Sequence, residues 1–261
     1  MTKQQYRFVA SQAQDVGSRQ RQEDAFAFSS EEAYHTKGLM AVLADGMGGM
    51  MDGDKFSAIA TREMIGHFET APLEESMCQS LLNCYAAAQK QAIAEQSPDD
   101  DEGGSTVTAV LILETLCSFL SVGDSRIYLL RNKGLVQLNR EQILGTMLDE
   151  RAALGIISRE EAELNIKRAA LINHLGREGL VGCDYCSEPF QLVMGDRLVL
   201  MSDGVFGTLS DDELAELLQL PIEDASQAVI DAVLAKQKPR QDNCSILMIG
   251  MEPEYDGEQG A

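Results

Sequence analysis

The stretch Gly38-Leu-Met-Ala-Val-Leu-Ala-Asp45-Gly46-Met-Gly48-Gly49 constrains the fold most. Its apolar run from Leu39 to Ala44 stops at an acid followed by glycines. A short apolar run closed by turn residues reads as a buried strand, and Asp45 then stands at the strand's end. A single Asp-Gly is also an ordinary turn signal. The pattern recurs, however. Leu198-Val-Leu-Met-Ser ends at Asp203-Gly204, and Ser118-Phe-Leu-Ser-Val122 ends at Gly123-Asp124-Ser125-Arg126. Gln241-Asp242-Asn243 precedes the apolar run that opens at Cys244, and Glu23-Asp24 precedes the alternating Ala25-Phe-Ala-Phe28. Turns need an acid only sometimes. A site for an oxygen-preferring divalent cation needs several, gathered from different strands.

Charge narrows the partners. The chain has 261 residues, with 21 basic against 42 acidic side chains and a net charge of −21. Such a surface repels nucleic acid and anionic membranes; a phosphorylated substrate needs metal ions to supply local positive charge. The length suits one large domain or two small ones. No apolar run approaches a membrane span, and no signal-peptide pattern opens the chain, which reads as cytoplasmic. Cysteines stand at 78, 84, 117, 183, 186 and 244. Cys183-Asp-Tyr-Cys186 has no second pair for a zinc site and no strand-to-helix context for a redox motif, so it reads as ordinary reduced thiols.

Taken in order, the chain predicts a first strand over 6–11 and a polar loop over 14–24. In that loop Arg19 and Arg21 neighbour Glu23 and Asp24. They read as salt bridges or as a phosphate clamp beside a metal ligand. Apolar spacing predicts helices over 54–70 and 73–96, with His67 a partly exposed helix residue. The acid run in 97–104 reads as a solvated loop. Strands follow over 105–113, 117–122 and 126–131, the last two joined through Gly123-Asp124-Ser125 as a hairpin or meander, and 135–138 adds a further strand. Residues 139–180 read as helical and polar; a capping box at Ser158 opens a helix toward Ile172. Strands over 190–193 and 197–201 flank Met194-Gly195-Asp196. A second capping box at Ser210 opens a helix that Pro221 stops, another helix covers 223–236, and a last strand covers 244–251. Strand runs with paired helices favour an α+β fold of antiparallel sheets with helices packed outside them.

Together, Arg19-Gln-Arg-Gln-Glu23-Asp24, Ala44-Asp45-Gly46-Met47-Gly48-Gly49, Gly104-Ser105-Thr106, Val122-Gly123-Asp124-Ser125-Arg126, Ser202-Asp203-Gly204 and Gln241-Asp242-Asn243 resemble the metal-dependent protein phosphatases of type 2C, bacterial branch. The resemblance spans almost the whole chain. It implies a four-layer α-β-β-α sandwich with two central antiparallel sheets, forming one phosphatase domain over 1–252 with a flap at about 139–180 and an acidic tail over 253–261. It implies two divalent metals, Mn²⁺ or Mg²⁺. Asp45 matches the carboxylate bridging them, Gly46 a backbone-carbonyl ligand, and Asp203 and Asp242 ligands of the first metal. Glu23 and Asp24 match residues contacting metal-bound waters, Asp124 a carboxylate of a weaker third metal site, and Arg19, rather than Arg21, the arginine holding the substrate phosphate.

The implied reaction is hydrolysis of phosphoserine or phosphothreonine in proteins, by in-line attack of a metal-bridging water or hydroxide, opposing a serine/threonine kinase. Two departures stand out. Met47 occupies the position where some members carry a histidine proposed as general acid. Leu138-Asn-Arg-Glu-Gln-Ile143 replaces the usual Thr-x-Asp-His-Ser, which bears on the flap that follows. That flap is expected to pack beside the metal site through apolar residues such as Ile143, Met147, Leu148, Leu154 and Ile156, and to select the protein substrate. Competing readings are a catalytically silent regulator of the same fold, which should have lost metal ligands, and a metal-dependent hydrolase of small phosphoesters.

Overall fold

The structure, a computed structural model, describes residues 6–47, 53–72, 76–96, 103–179 and 182–254. Its strands are β1 (Tyr6–Asp15), β2 (Asp24–Phe28), β3 (Leu39–Met47), β4 (Gly104–Ser105), β5 (Val107–Leu113), β6 (Leu116–Val122), β7 (Arg126–Arg131), β8 (Gly134–Gln137), β9 (Asp184–Tyr185), β10 (Phe190–Gln191), β11 (Arg197–Met201) and β12 (Cys244–Pro253). Its helices are α1 (Glu31–Lys37), α2 (Gly53–Thr70), α3 (Met77–Ala94), α4 (Leu144–Ala153), α5 (Arg159–Glu163), α6 (Asp203–Phe206), α7 (Asp211–Leu217) and α8 (Ile222–Ala235).

Among the described residues the strands form two sheets. One has the order β1-β12-β11-β7-β8. The other has the order β10-β6-β5-β3-β2, with β4 pairing β3 and β9 pairing β6. All the central pairings are antiparallel. Strand alternation sorts the side chains into layers. From β3, Met40, Val42 and Ala44 face α2 and α3, where they meet Phe56, Met64, Leu81 and Ala88. Ala41 and Leu43 face the other way, onto Leu198, Leu200, Leu247 and Ile249 of the second sheet. That sheet turns Val199, Met201, Ile246 and Met248 outward onto Leu214 of α7 and Ile222, Val229 and Val233 of α8. The result is helix, sheet, sheet, helix, as expected, with apolar cores at all three interfaces. Each fully buried aliphatic side chain contributes about 1.5–3 kcal/mol, so the central strands are anchored on both faces.

Several local expectations differ. Gly123-Asp124-Ser125 does not close a hairpin: β6 pairs with β5, whereas β7 pairs with β11 and β8. The turn carries the chain from one sheet to the other. The segment between β10 and β11 does the same. A turn between paired strands and a crossing between stacked sheets need the same residues, so their sequences look alike. Helix α1 was not expected. It is short and polar, but Ser30 caps it, and Lys37 donates to the Phe68 and Glu69 carbonyls at the end of α2, satisfying groups a helix end leaves open.

Ser158 does form the expected capping box, yet α5 ends at Glu163. The Asn165 side chain accepts from the Lys167 amide, a turn that competes with helix, and Ile166 is 97% exposed. Pro221 caps α8 after α7 has already ended at Leu217. His67 is partly exposed in α2, as read. Cys183 packs on the α2/α3 side of its sheet and Cys186 between the sheets. The strand pleat thus separates the two thiols, and all six cysteines are free. Residues 73–75 of the second expected helix, most of the acidic 97–104 loop, Gly48, Gly49 and the tail beyond 254 lie outside the described residues.

Candidate active site

The expected site residues come from segments that end or cross at one edge of the stacked sheets. Asp24 opens β2 and lies directly across from Asp45 near the end of β3. Arg19 and Glu23 lie on the crossing from β1 to β2, Asp124 on the crossing from β6 to β7, Asp203 at the start of α6, and Asp242 just before β12. One pocket of about 270 Å³ is lined by Arg19, Glu23, Asp45, Asp124, Asp203 and Asp242. Gly46, Met47, Thr106, Leu171 and Asn243 complete its wall. Asp24 lies behind it, buried.

Backbone and hydroxyl contacts fix the carboxylates. The Asp45 amide donates to Thr106 Oγ1 at 2.9 Å, and its carbonyl accepts from the Thr106 amide at 2.8 Å and Ser105 Oγ at 3.0 Å. Thr106 Oγ1 also lies 2.7 Å from Ser125 Oγ, beside Asp124. Ser202 Oγ donates to Asp24 Oδ2 at 2.7 Å and accepts from the Ser245 amide at 3.0 Å, tying the two sheets together. Asn243 Oδ1 accepts the Glu23 amide at 2.7 Å, while its Nδ2 donates to the Val16 and Arg21 carbonyls. The Arg19 guanidinium reaches Asp242 Oδ2 at 2.6 Å at the exposed mouth.

Neither glycine of the two Asp-Gly pairs serves a left-handed turn. A Cβ on Gly46 would lie 2.0 Å from the Gly53 carbonyl oxygen, and one on Gly204 would lie 1.9 Å from that of Asn243. Both positions are glycine because backbone approaches backbone.

Burial, with the neighbouring acids adding to it, sets the electrostatics. Burial raises the Asp24 carboxyl from 3.8 to about 6. The Asp203 and Asp242 charges add to this, and the hydrogen bond from Ser202 opposes it. Burial, then the Asp203 charge, raises Asp124 to about 7. Asp45 is pushed well up by burial and then by Asp24, Asp203, Asp124 and Asp242. Glu23 and Asp203 also move up, burial again being the main cause. These shifts mark carboxyls taken out of water and placed beside one another, with more negative charge than their protein partners balance.

That excess fits divalent cations. The donors are oxygens, as hard cations prefer, and buried Asp24 Oδ1 has no hydrogen-bond partner. Among the described residues no group of three or more His, Cys, Asp or Glu side chains is gathered tightly enough to hold an ion alone. Each cation would therefore take part of its shell from water and backbone carbonyl, as Mg²⁺ commonly does.

Sequence reasoning quoted Ser105, Thr106, Ser202 and Asn243 within motifs but gave them no role; their work is to orient the acids. The divergent Leu138–Ile143 segment is also built in. Asn139 accepts the Ile127 amide at 2.7 Å and donates to Ser121 Oγ and the Ser125 carbonyl. Glu141 pairs with Arg126 at 2.7 Å. Gln142 grips Gly123 twice: its backbone amide donates to the Gly123 carbonyl at 2.7 Å and its Oε1 accepts the Gly123 amide at 3.1 Å. Gln142 Oε1 also accepts from Asn173 Nδ2 at 2.8 Å.

Two antiparallel sheets stacked between helices, with carboxylates gathered where both sheets end, define a class of mixed α/β proteins. The family model of protein phosphatase 2C matches residues 13–241, and the chain belongs to that family. It is 30% identical over 227 residues to the serine/threonine phosphatase stp of Listeria monocytogenes, covering 85% of this chain and 88% of that protein. The fold is similar to the crystal structure of the serine/threonine phosphatase PstP/Ppp of Mycobacterium tuberculosis, with a TM-score of 0.76 and 27% identity over 95% of this chain and 99% of that one. It is also similar to the catalytic domain of PstP in complex with two manganese ions, with a TM-score of 0.75 and 26% identity over 95% of this chain and the whole of the other.

Proposed function

We propose that this chain is a metal-dependent phosphatase of phosphoserine and phosphothreonine in proteins, acting against a serine/threonine kinase. The observation that carries the reading is the set of crowded acids from both sheets lining one pocket, with an arginine at its mouth. The relatives named serine/threonine phosphatases support the substrate class, and the manganese-bound neighbour supports two divalent cations.

Asp45, the Gly46 carbonyl, Asp203 and Asp242 would hold the two ions. Glu23 and Asp24 would act through water, and Asp124 would hold a weaker third ion. When bound, the cations supply charge neutralisation and an activated water for attack on phosphorus. Every other step belongs to the chain. Ser105 and Thr106 hold Asp45 so that its carboxylate points into the pocket. Ser202 holds one oxygen of Asp24 and leaves the other free. Arg19 turns from Asp242 to the substrate phosphate and orients it with charge-assisted hydrogen bonds. Met47 offers no proton, so the leaving group takes its proton from water.

The test is phosphate release from a phosphothreonine peptide with Mn²⁺, and again with excess EDTA. Release that persists after exhaustive chelation would remove the metal from the reading. Turnover of a phosphorylated metabolite but of no phosphopeptide would replace the substrate class.

A further inference from the structure

The carboxylate pocket continues into a second groove that shares Asp124, Asp203 and Asp242 with it. Phe206 and Ile143 give this groove apolar wall, and Lys238 and Arg240 bring cations to it. Arg126 also lines it, but its charge is engaged: the guanidinium pairs with Glu141 and lies 3.9 Å from the centre of the Phe206 ring. Lys238 and Arg240 differ. Lys238 Nζ donates to a neutral acceptor, the Gly207 carbonyl, at 2.9 Å. Among the described residues neither cation has a carboxylate partner, whereas nearby Lys236 pairs with Glu213. In a chain with twice as many acids as bases, this groove sets Arg126, Lys238 and Arg240 against Asp124, Glu141, Asp203 and Asp242, and of its cations Lys238 and Arg240 are exposed and without an ion-pair partner among the described residues. They can meet an anion without being stripped of water first, so the encounter costs little.

We propose that Lys238 and Arg240 form an anion subsite for a second negative group on the same peptide as the phosphorylated residue. That group is an acidic side chain or another phosphate. The subsite rests on the reading that the first phosphate enters the carboxylate pocket. It makes the enzyme favour phosphorylated residues within acidic or multiply phosphorylated stretches. Phe206 and Ile143 meanwhile provide apolar contact for the intervening chain. Lys238 also offsets part of the crowding at Asp203, so Arg240 is the cleaner probe.

The experiment uses the full chain with Mn²⁺ and four substrates: an aryl phosphate and three phosphothreonine peptides. One peptide has uncharged neighbours, one has Asp and Glu neighbours, and one carries an adjacent phosphoserine. The wild type should show a higher kcat/KM on the two anionic peptides. Arg240→Gln and Arg240→Glu should cut that advantage through KM, by about fivefold for an exposed charge contact. The uncharged peptide and the aryl phosphate should be unchanged. Arg240→Lys should restore most of the preference, and Lys238→Gln with Arg240→Gln should abolish it. The anionic peptide that loses more identifies the natural source of the second charge. Absence of any anionic preference in the wild type, or an equal loss on all four substrates, overturns the subsite while leaving the phosphatase reading intact. A wild type that hydrolyses the aryl phosphate but no peptide overturns both.

Discussion

Asp45 has its amide and carbonyl held by Ser105 and Thr106, so its carboxylate is aimed before any ligand arrives. That carboxylate is buried and has Asp24, Asp203, Asp124 and Asp242 as neighbours. Asp45→Asn should therefore separate activity from stability. Turnover should fall by orders of magnitude if Asp45 holds metal as proposed, because a neutral amide holds divalent cations poorly. The metal-free protein should melt a few degrees higher, since relief of about 1 kcal/mol moves Tm by roughly 2–4 °C in a chain of this size. Near-native turnover with unchanged manganese stoichiometry would assign the bridge elsewhere. Arg19→Ala should raise KM by about tenfold or more, charge-assisted hydrogen bonds being worth roughly 1.5–3 kcal/mol. Arg21→Ala should change it little. A KM for Arg19→Ala equal to that of the wild type would move the phosphate clamp.

Among the elements, the flap shows the clearest division of labour. Its two ends are sewn to the site: Gln142 grips Gly123, and Leu175 exchanges backbone hydrogen bonds with Ser105. Leu171 lines the pocket itself. Its middle is open, with Leu154, Ile156, Leu164 and Ile166 exposed. The expectation that its apolar residues fold inward holds for Leu148 but not for Met147, Leu154 or Ile156. Replacing residues 147–166 by a Gly/Ser linker should thus change the ranking of phosphoprotein substrates and spare an aryl phosphate. A linker that also removed residues 141–143 should damage both, because the hold on Gly123 beside Asp124 would go. Loss of both activities with the shorter replacement, the metals still bound, would make the flap's middle part of the catalytic apparatus.

The same contrast explains what the sequence made legible. Buried strands announced themselves through apolar runs, and Asp45, Asp203 and Asp242 through the acids that stop them. The sheet to which β6 and β7 each belong was not legible, because a crossing and a hairpin use the same Gly-Asp-Ser. Nor were the roles of Ser202 and Thr106, since a hydroxyl that orients an acid across the sequence leaves no local pattern.

For the whole molecule, burial of neighbouring acids makes stability depend on pH. Asp24 and Asp124 have folded-state values raised to about 6 and about 7 from an ordinary 3.8. The folded protein holds these protons more tightly than the unfolded chain does. The associated stability is present in full below about pH 4 and is lost as pH rises through 6 to 7. The metal-free protein should accordingly lose Tm between pH 5 and 8, and millimolar Mn²⁺ should restore it by binding the ionised carboxylates. A metal-free Tm that stayed flat or rose over this interval would contradict the raised carboxyls.

The hydrogen bond from Ser202 to Asp24 joins the ends of the two sheets through a buried polar pair, as Thr106 with Ser125 and Asn139 with Ser121 do elsewhere along their edge. The acids around it are divided between those sheets in the same way. Neither half of the sandwich therefore carries a working centre of its own. A chain emerging from synthesis, or one partly unravelled, has a sheet's worth of carboxylates and no catalyst. A centre that draws its acids from both sheets is complete only when the two halves have closed on each other.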